Sequence, residues 1–134
     1  MADLIIRSAP PNYPEIIRVF PQATRQTVIF AYAPNIYAPH SRPVPPELIA
    51  HEKVHIARQE AAGVDRWWAR YLVDPEFRYT EEVLAHRAEY RALCEMNDNR
   101  HARRSALKSI AKKLAAPLYG NMVSVAQAME DIAT

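Results

Sequence analysis

Leu48-Ile-Ala-His-Glu-Lys-Val-His-Ile-Ala-Arg-Gln59 is the stretch around which the rest of this chain is organised. It places His51, Glu52 and His55 in the order His-Glu-x-x-His on a segment whose pattern predicts a helix. Residues four apart lie on one face of an α-helix, so both imidazoles can reach a single metal ion. Glu52 lies about 100° round the helix from His51, where its carboxylate can address a water molecule without itself binding the ion. This arrangement is typical of zinc hydrolases.

Length and composition limit the classes of protein to be considered. A chain of 134 residues fits one domain, 1–134, with an ordinary hydrophobic core. The single cysteine, Cys94, excludes an internal disulfide framework and a cysteine-rich zinc site, so any metal must be bound by histidines and carboxylates. There is neither a signal peptide nor an apolar run of the roughly 20 residues that span a bilayer. We therefore expect a cytoplasmic protein with no membrane partner, and association with a virion stays open.

Proline and charge are unevenly distributed along the chain. Nine of the eleven prolines precede the His-Glu-x-x-His motif. This asymmetry predicts a proline-rich, strand-bearing part over 1–45 and a helical part over 46–134, which together form a predominantly helical α+β fold. Although the net charge is only +2, no acidic residue occurs between Asp98 and Glu130, so the C-terminal third is a basic block.

Apolar patterning and proline or glycine boundaries predict the individual elements. Strands are predicted at Leu4–Ile6, Gln26–Ala33 and Ile36–Tyr37. Helices are predicted at Tyr13–Phe20, Pro46–Ala62 with Gly63 as its stop, Val64–Tyr71, from Glu76 or Thr80 to Met96, Arg100–Ala116 and Val123–Ile132.

The predicted motif helix has two faces with different tasks. One stripe consists of Leu48, His51, Glu52, His55 and Gln59. The positions expected to pack on the sheet are Ile49, Val54, Ala57 and Ala61. The next helix carries Trp67, Trp68 and Tyr71, whose helical spacing is typical of residues that fill the hydrophobic core. The alternative is that one tryptophan is buried and the other lies along the site.

A hydrolytic zinc site needs a third protein ligand in addition to two histidines. The extended spacing His-Glu-x-x-His-x-x-Gly-x-x-His is excluded because Arg58 and Ala61 occupy the corresponding positions. On the predicted second long helix, Glu82, His86 and Glu89 recur at i, i+4 and i+7 and form one ionisable stripe. The third ligand is therefore sought among these three residues and the adjacent Glu81.

The two motifs resemble those of the gluzincin metallopeptidases, in which a motif helix provides two histidines and a later helix provides a glutamate. Glu82-Val-Leu-Ala85-His86 has the Glu-x-x-Ala-x form of the second motif in several of those families, which selects Glu82 over Glu81 as third ligand. The position four after the ligand is typically acidic there, whereas here it is His86, so Glu89 or an external carboxylate is expected to hold a ligand histidine.

The resemblance covers roughly 46–90, and the short chain is also similar to the minimal gluzincins and to small His-Glu-x-x-His proteins of phages and prophages. It implies a zincin-like fold in which the short N-terminal strands are followed by the motif helix, the glutamate-bearing helix and one or two further helices. It also implies one Zn²⁺ ion bound by His51, His55 and Glu82.

The main hypothesis is a zinc metallopeptidase that hydrolyses a peptide or protein substrate through a metal-activated water, with Glu52 as general base. A non-protein amide such as a cell-wall peptide is a further substrate to consider. Tyr79, His86 or a nearby arginine is the candidate for stabilising the oxyanion. The edge of the strand Gln26–Ala33, or of the shorter strand after Pro34, is expected to pair with an extended substrate.

A second hypothesis comes from the predicted fifth helix, where Arg100, Arg104, Lys108 and Lys112 recur every four residues. Such a stripe is usually a solvated helix face. The alternative is a catalytically silent zinc-binding protein whose basic C-terminal helix binds nucleic acid or a protein partner.

Overall fold

A computed structural model describes residues 4–25, 27–116 and 123–134. Its strands are β1 (Ile5–Ile6), β2 (Phe30–Tyr32) and β3 (Asn35–Tyr37). Its α-helices are α1 (Tyr13–Val19), α2 (Pro46–Ala62), α3 (Val64–Val73), α4 (Pro75–Met96), α5 (Arg100–Leu114) and α6 (Val125–Ala133), and a 3₁₀ helix at Pro21–Thr24 follows α1. The predominantly helical α+β class is confirmed. Over these described ranges, no helix has both the length and the apolar character needed to cross a membrane.

The three strands form one small mixed sheet in the order β1-β3-β2. β3 pairs parallel with β1 and antiparallel with β2. Because β3 is the central strand, the expectation that the strand after Pro34 offers a free edge is wrong. Of the two strands considered for that role, β2 has an open side, and β1 lies at the other edge of the sheet.

The predicted strand Gln26–Ala33 is too long. Only Phe30–Tyr32 forms a ladder, and Gln26 itself lies outside the described residues. The β-branched residues before Phe30 favour extended backbone. The neighbouring strand β3 has only three residues, so β2 can form ladder pairs over only three residues. The other predicted boundaries lie within two residues of those observed, except the alternative start at Thr80, which is five residues after Pro75, where α4 begins.

Helix α2 begins and ends where its sequence predicts. Pro46 occupies the first turn, where a missing backbone N–H costs nothing. Gly63 ends the helix with a φ of 92°, a backbone conformation that residues with a Cβ rarely adopt. Both limits therefore follow from local backbone chemistry.

The face of α2 that is buried is not the expected one. Ala57 and Ala61 are exposed, and Val54 is only half-buried. The buried positions are His51, Glu52, His55, Ile56 and Gln59. Ile49 packs with Ala31 and Ile36 of the sheet as expected, but the expectation is wrong for Ala57 and Ala61. Helix α2 packs most extensively against α4, and the surfaces that meet there carry the ionisable side chains of both helices.

Apolar clusters lie on either side of this polar layer. The first joins α1, β2 and α3 through Ile16, Phe30, Trp67, Trp68 and Tyr71. The second joins α4, α5 and α6 through Val83, Leu107, Ile110, Ala111, Leu114, Ala128 and Ile132. The inward face of α5 consists of Leu107, Ile110, Ala111 and Leu114, which are all buried.

Gln59 fastens the sheet to α2. Its side chain is fully buried, its Nε2 donates to the carbonyl of Ala31 at 2.9 Å, and its Oε1 accepts from the amide of Ala33 at 2.7 Å. Trp68 Nε1 donates to the same Ala31 carbonyl at 3.1 Å. The open side of β2 is thus held against the motif helix by side-chain hydrogen bonds.

Replacing Gln59 by Leu keeps the side-chain volume similar but removes both hydrogen bonds. We expect Gln59→Leu to lower the free energy of unfolding by about 1–3 kcal/mol, because partly buried backbone groups lose their partner. Urea denaturation measures this as a lower midpoint with an unchanged slope. The exposed neighbour provides the control, since Glu60→Ala should change the unfolding free energy by no more than about 0.5 kcal/mol. Equal stability of Gln59→Leu and the wild type would contradict the fastening role.

Candidate metal centre

The contact between α2 and α4 buries six ionisable side chains together. Helix α2 contributes His51, Glu52 and His55, and α4 contributes Glu82, His86 and Glu89. Each is at most 7 % exposed. The two motifs that the sequence singled out therefore meet in space, and all the predicted site residues except Tyr79 belong to this cluster.

His51, His55 and Glu82 can hold a metal ion. Glu82 Oε1 lies 3.2 Å from His51 Nε2, and Glu82 Oε2 lies 3.1 Å from His55 Nε2. One potential ligand atom from each residue lies within 4.8 Å of the other two. Two imidazole nitrogens and a carboxylate oxygen are ligands that zinc accepts, and three protein ligands leave a position for water.

Glu89 orients two imidazoles with one oxygen. Its Oε1 lies 2.9 Å from the Nδ1 of His51 and 2.9 Å from the Nδ1 of His86. When both Nδ1 atoms carry hydrogen and donate to Glu89, the Nε2 of His51 is left free to bind a cation beside Glu82. Burial would raise the pKa of Glu89, but the hydrogen bonds from His51 and His86 lower that pKa to about 2.

His51, His86 and Glu89 also lie close enough to hold a metal ion. A neutral imidazole has only one nitrogen with a free lone pair, so His51 can serve one of the two groups at a time. Since the second group is already joined by hydrogen bonds of 2.9 Å, it is better described as support for the first.

Three buried atoms in the cluster have no hydrogen-bond partner among the described residues. They are His55 Nδ1, Glu82 Oε1 and His86 Nε2, and the last two lie 3.9 Å apart. Leaving such atoms unpaired costs free energy, and a cation beside Glu82 would satisfy the carboxylate oxygen. Burial lowers the pKa of His86, so this imidazole favours its neutral form. These observations fit a bound cation.

The charges of the cluster also fit a bound cation. Burial raises the pKa of Glu52. Burial would also raise the pKa of Glu82, but His55 and His51 hold it well below its usual value. Burial would lower the pKa of His51, yet Glu52, Glu82 and Glu89 together raise it well above 6.5. Three carboxylates are thus brought together in a desolvated space, where a divalent cation would compensate their negative charge.

The cluster opens into a cavity of about 140 Å³. His51, Glu52, His55 and Glu82 line one wall of it. Most of the remaining wall is apolar, formed mainly by Ile16, Phe20, Phe30, Trp67, Trp68 and Tyr71. Glu52 and the three candidate ligands are therefore reachable from an apolar cavity.

Aromatic residues of α3 hold the ligands from the cavity side. Tyr71 donates its hydroxyl to Glu82 Oε2 at 2.6 Å, and the rings of Trp67 and His55 lie 5.2 Å apart. Both tryptophans are buried, as the hydrophobic-core interpretation predicts, whereas the alternative with only one buried tryptophan is wrong. Tyr71 was not predicted as a partner of Glu82. Its i, i+4 spacing from Trp67 was the available signal.

Glu81 is buried but does not join the cluster. Its Oε1 accepts from Trp67 Nε1 at 2.7 Å and from Arg58 Nε at 2.6 Å. This carboxylate positions the tryptophan beside His55, whereas its neighbour Glu82 belongs to the group that could hold a metal ion.

Tyr79 does not reach the cluster. Its hydroxyl donates to Asp131 Oδ2 at 2.5 Å, and its ring packs with Val83 against the cluster between α4, α5 and α6. Tyr79 therefore lies on the side of α4 that faces α6, and it is not placed to stabilise an oxyanion. Of the residues named for that role, His86 is the one in the cluster.

Comparison with known proteins finds no family model, no curated protein and no solved structure that matches this chain. The interpretation of the cluster rests on the distances, burial and charges of its own residues.

Replacing Glu89 by Gln tests its role as the residue that orients His51. We expect Glu89→Gln to weaken zinc binding by about 10–100-fold, because the amide cannot accept two charge-assisted hydrogen bonds as the carboxylate does. Competition with a chromophoric chelator measures the affinity. Glu95→Gln, at an exposed position on the same helix, is the control and should bind zinc like the wild type. Unchanged affinity in Glu89→Gln would rule out the orienting role.

Proposed function

We propose that this protein is a zinc-dependent hydrolase of peptide bonds with a zincin-like, gluzincin-type arrangement of its helices. The observation that carries the proposal is the convergence of His51, His55 and Glu82 beside Glu52 on the wall of an apolar cavity. Zinc held by those three residues would act as a Lewis acid, lowering the pKa of water and polarising the scissile carbonyl. The two motifs that resemble those of gluzincins support the same assignment.

Glu52 is the general base in this proposal. Its Oε2 lies 3.7 Å from His51 Nε2, and its carboxylate lines the cavity. No described residue donates a hydrogen bond to it, so its oxygens are free to accept a proton from a water molecule. Burial raises the pKa of Glu52, so that this pKa lies closer to neutral pH, where a general base is most effective. Glu52 takes the proton from the attacking water and then delivers it to the leaving amine.

The substrate strand has a restricted place to bind. β2 has an open side, but the outward-facing carbonyl of Ala31 is already occupied by Gln59 and Trp68. The amide of Val28 already donates to the carbonyl of Arg25. An extended peptide would therefore pair with the backbone just before β2 at Ile29, which lines the cavity. The apolar wall favours a substrate with an apolar side chain next to the scissile bond.

A second candidate function is a zinc-binding protein without hydrolytic activity. It is favoured by His86 Nε2, which is buried, unpartnered in the described part of the chain, and 3.9 Å from Glu82 Oε1. If this nitrogen also bound zinc, four protein ligands would close the site to water, as in structural zinc sites. Tight zinc binding without hydrolysis of any peptide would support this candidate.

The variant Glu52→Gln distinguishes the role of the general base from the role of the candidate metal ligands. We expect the variant to keep its zinc and to lose about 10²–10⁴-fold in kcat/KM, because the amide cannot accept the proton of the attacking water. Hydrolysis is measured on libraries of peptides and of cell-wall peptides that vary next to the scissile bond. Lys53→Gln, an exposed neighbour, is the control and should retain activity.

Two outcomes would contradict the proposed mechanism. Full activity in Glu52→Gln would show that another group is the base. Zinc-loaded wild type that cleaves nothing in either library would favour the second candidate.

A further inference from the structure

One face of α5 is a row of cationic side chains. Its members are Arg100, Arg104, Lys108 and Lys112, all of which are exposed. We call this row the basic stripe. It is about 18 Å long, at the helical rise of about 1.5 Å per residue. The opposite face of α5 is buried against α4 and α6, so the helix presents the basic stripe to the outside.

The charge of the basic stripe is not compensated. None of its four side chains forms a salt bridge with a carboxylate of the residues that the structure describes. Arg103 and Lys113 add two more cations to the same helix, which has no acidic residue. A stripe that merely kept the helix soluble would be expected to mix both signs of charge.

A cavity of about 300 Å³ lies at the N-terminal end of the basic stripe, between α4 and α5. It is lined by Tyr90, Arg100, Arg103, Arg104 and Leu107, with no acidic side chain. The guanidinium of Arg103 is held in place by the carbonyls of Asn97, at 2.5 Å, and Cys94, at 3.0 Å. Arg100 and Arg104 remain able to turn toward an anion the size of a phosphate.

We propose that the basic stripe binds double-stranded nucleic acid through its phosphates. Four cations repeating along one line suit a polymer with regularly spaced negative charges. The exposed face of α5 has no phenylalanine, tyrosine or tryptophan on which successive single-stranded bases could stack, and no large apolar residue that could enter a membrane. Contacts to phosphates alone give binding that does not depend on base sequence.

This surface is independent of the proposed hydrolase activity. The basic stripe lies on α5, whereas the candidate ligands and Glu52 lie on α2 and α4. Failure of either proposal would leave the other intact.

The experiment measures binding of a fluorescent DNA duplex of about 20 base pairs by anisotropy over a series of salt concentrations. We expect the logarithm of the wild-type association constant to fall with the logarithm of the salt concentration, with a slope of about −0.9 for each phosphate contacted. The double variant Lys108→Gln/Lys112→Gln should bind more weakly, and its slope should be smaller in magnitude by about 1.8.

The matched control is Arg18→Gln/Arg66→Gln, which removes the same charge from exposed positions on α1 and α3. Both double variants should unfold at the same temperature as the wild type, and the control should keep the wild-type slope. The proposal would be overturned by wild type that does not bind the duplex. An equal change of slope in both variants, or displacement of the duplex by polyglutamate at the same charge concentration, would also overturn it.

Discussion

The burial of six ionisable side chains between α2 and α4 is the constraint on which the rest of this structure depends. Moving a charged group out of water is costly unless it finds a partner of opposite charge and enough hydrogen bonds. Three carboxylates and three imidazoles partly satisfy each other, and the buried atoms without a hydrogen bond among the described residues of the cluster are on His55, Glu82 and His86. A divalent cation bound by Glu82 would compensate its buried charge and lower the free-energy cost of this arrangement.

The surrounding residues keep this arrangement rigid. Glu89 fixes the imidazoles from behind, while Tyr71 holds Glu82 from the cavity side. Gln59 ties the open side of the sheet to α2, and Glu81 holds Trp67 beside the cluster. Each of these polar side chains is buried, and its hydrogen bonds orient a neighbouring group. The result is a preorganised wall of ionisable groups facing an apolar cavity, as hydrolysis in a water-poor site requires.

The sequence predicted the parts that local chemistry decides. Proline and glycine set the ends of α2, and helical spacing placed Glu82 and Glu89 on one face of α4. What it could not predict depended on partners distant in the chain. The length of β2 is limited by β3, the buried face of α2 is chosen by α4, and Tyr79 is drawn to Asp131 on α6. Periodicity shows that a helix has two faces, but packing decides which one is buried.

The most direct test of the central claim is a zinc titration of three proteins, the wild type, Glu82→Gln and Glu81→Gln. The two variants make the same substitution at adjacent buried positions, of which only Glu82 faces the histidines. The account predicts one tightly bound ion per chain in the wild type and in Glu81→Gln. It predicts binding at least about 100-fold weaker in Glu82→Gln, because a ligand and a charge are lost together. Wild-type affinity in Glu82→Gln, or no zinc binding by the wild type, would contradict it.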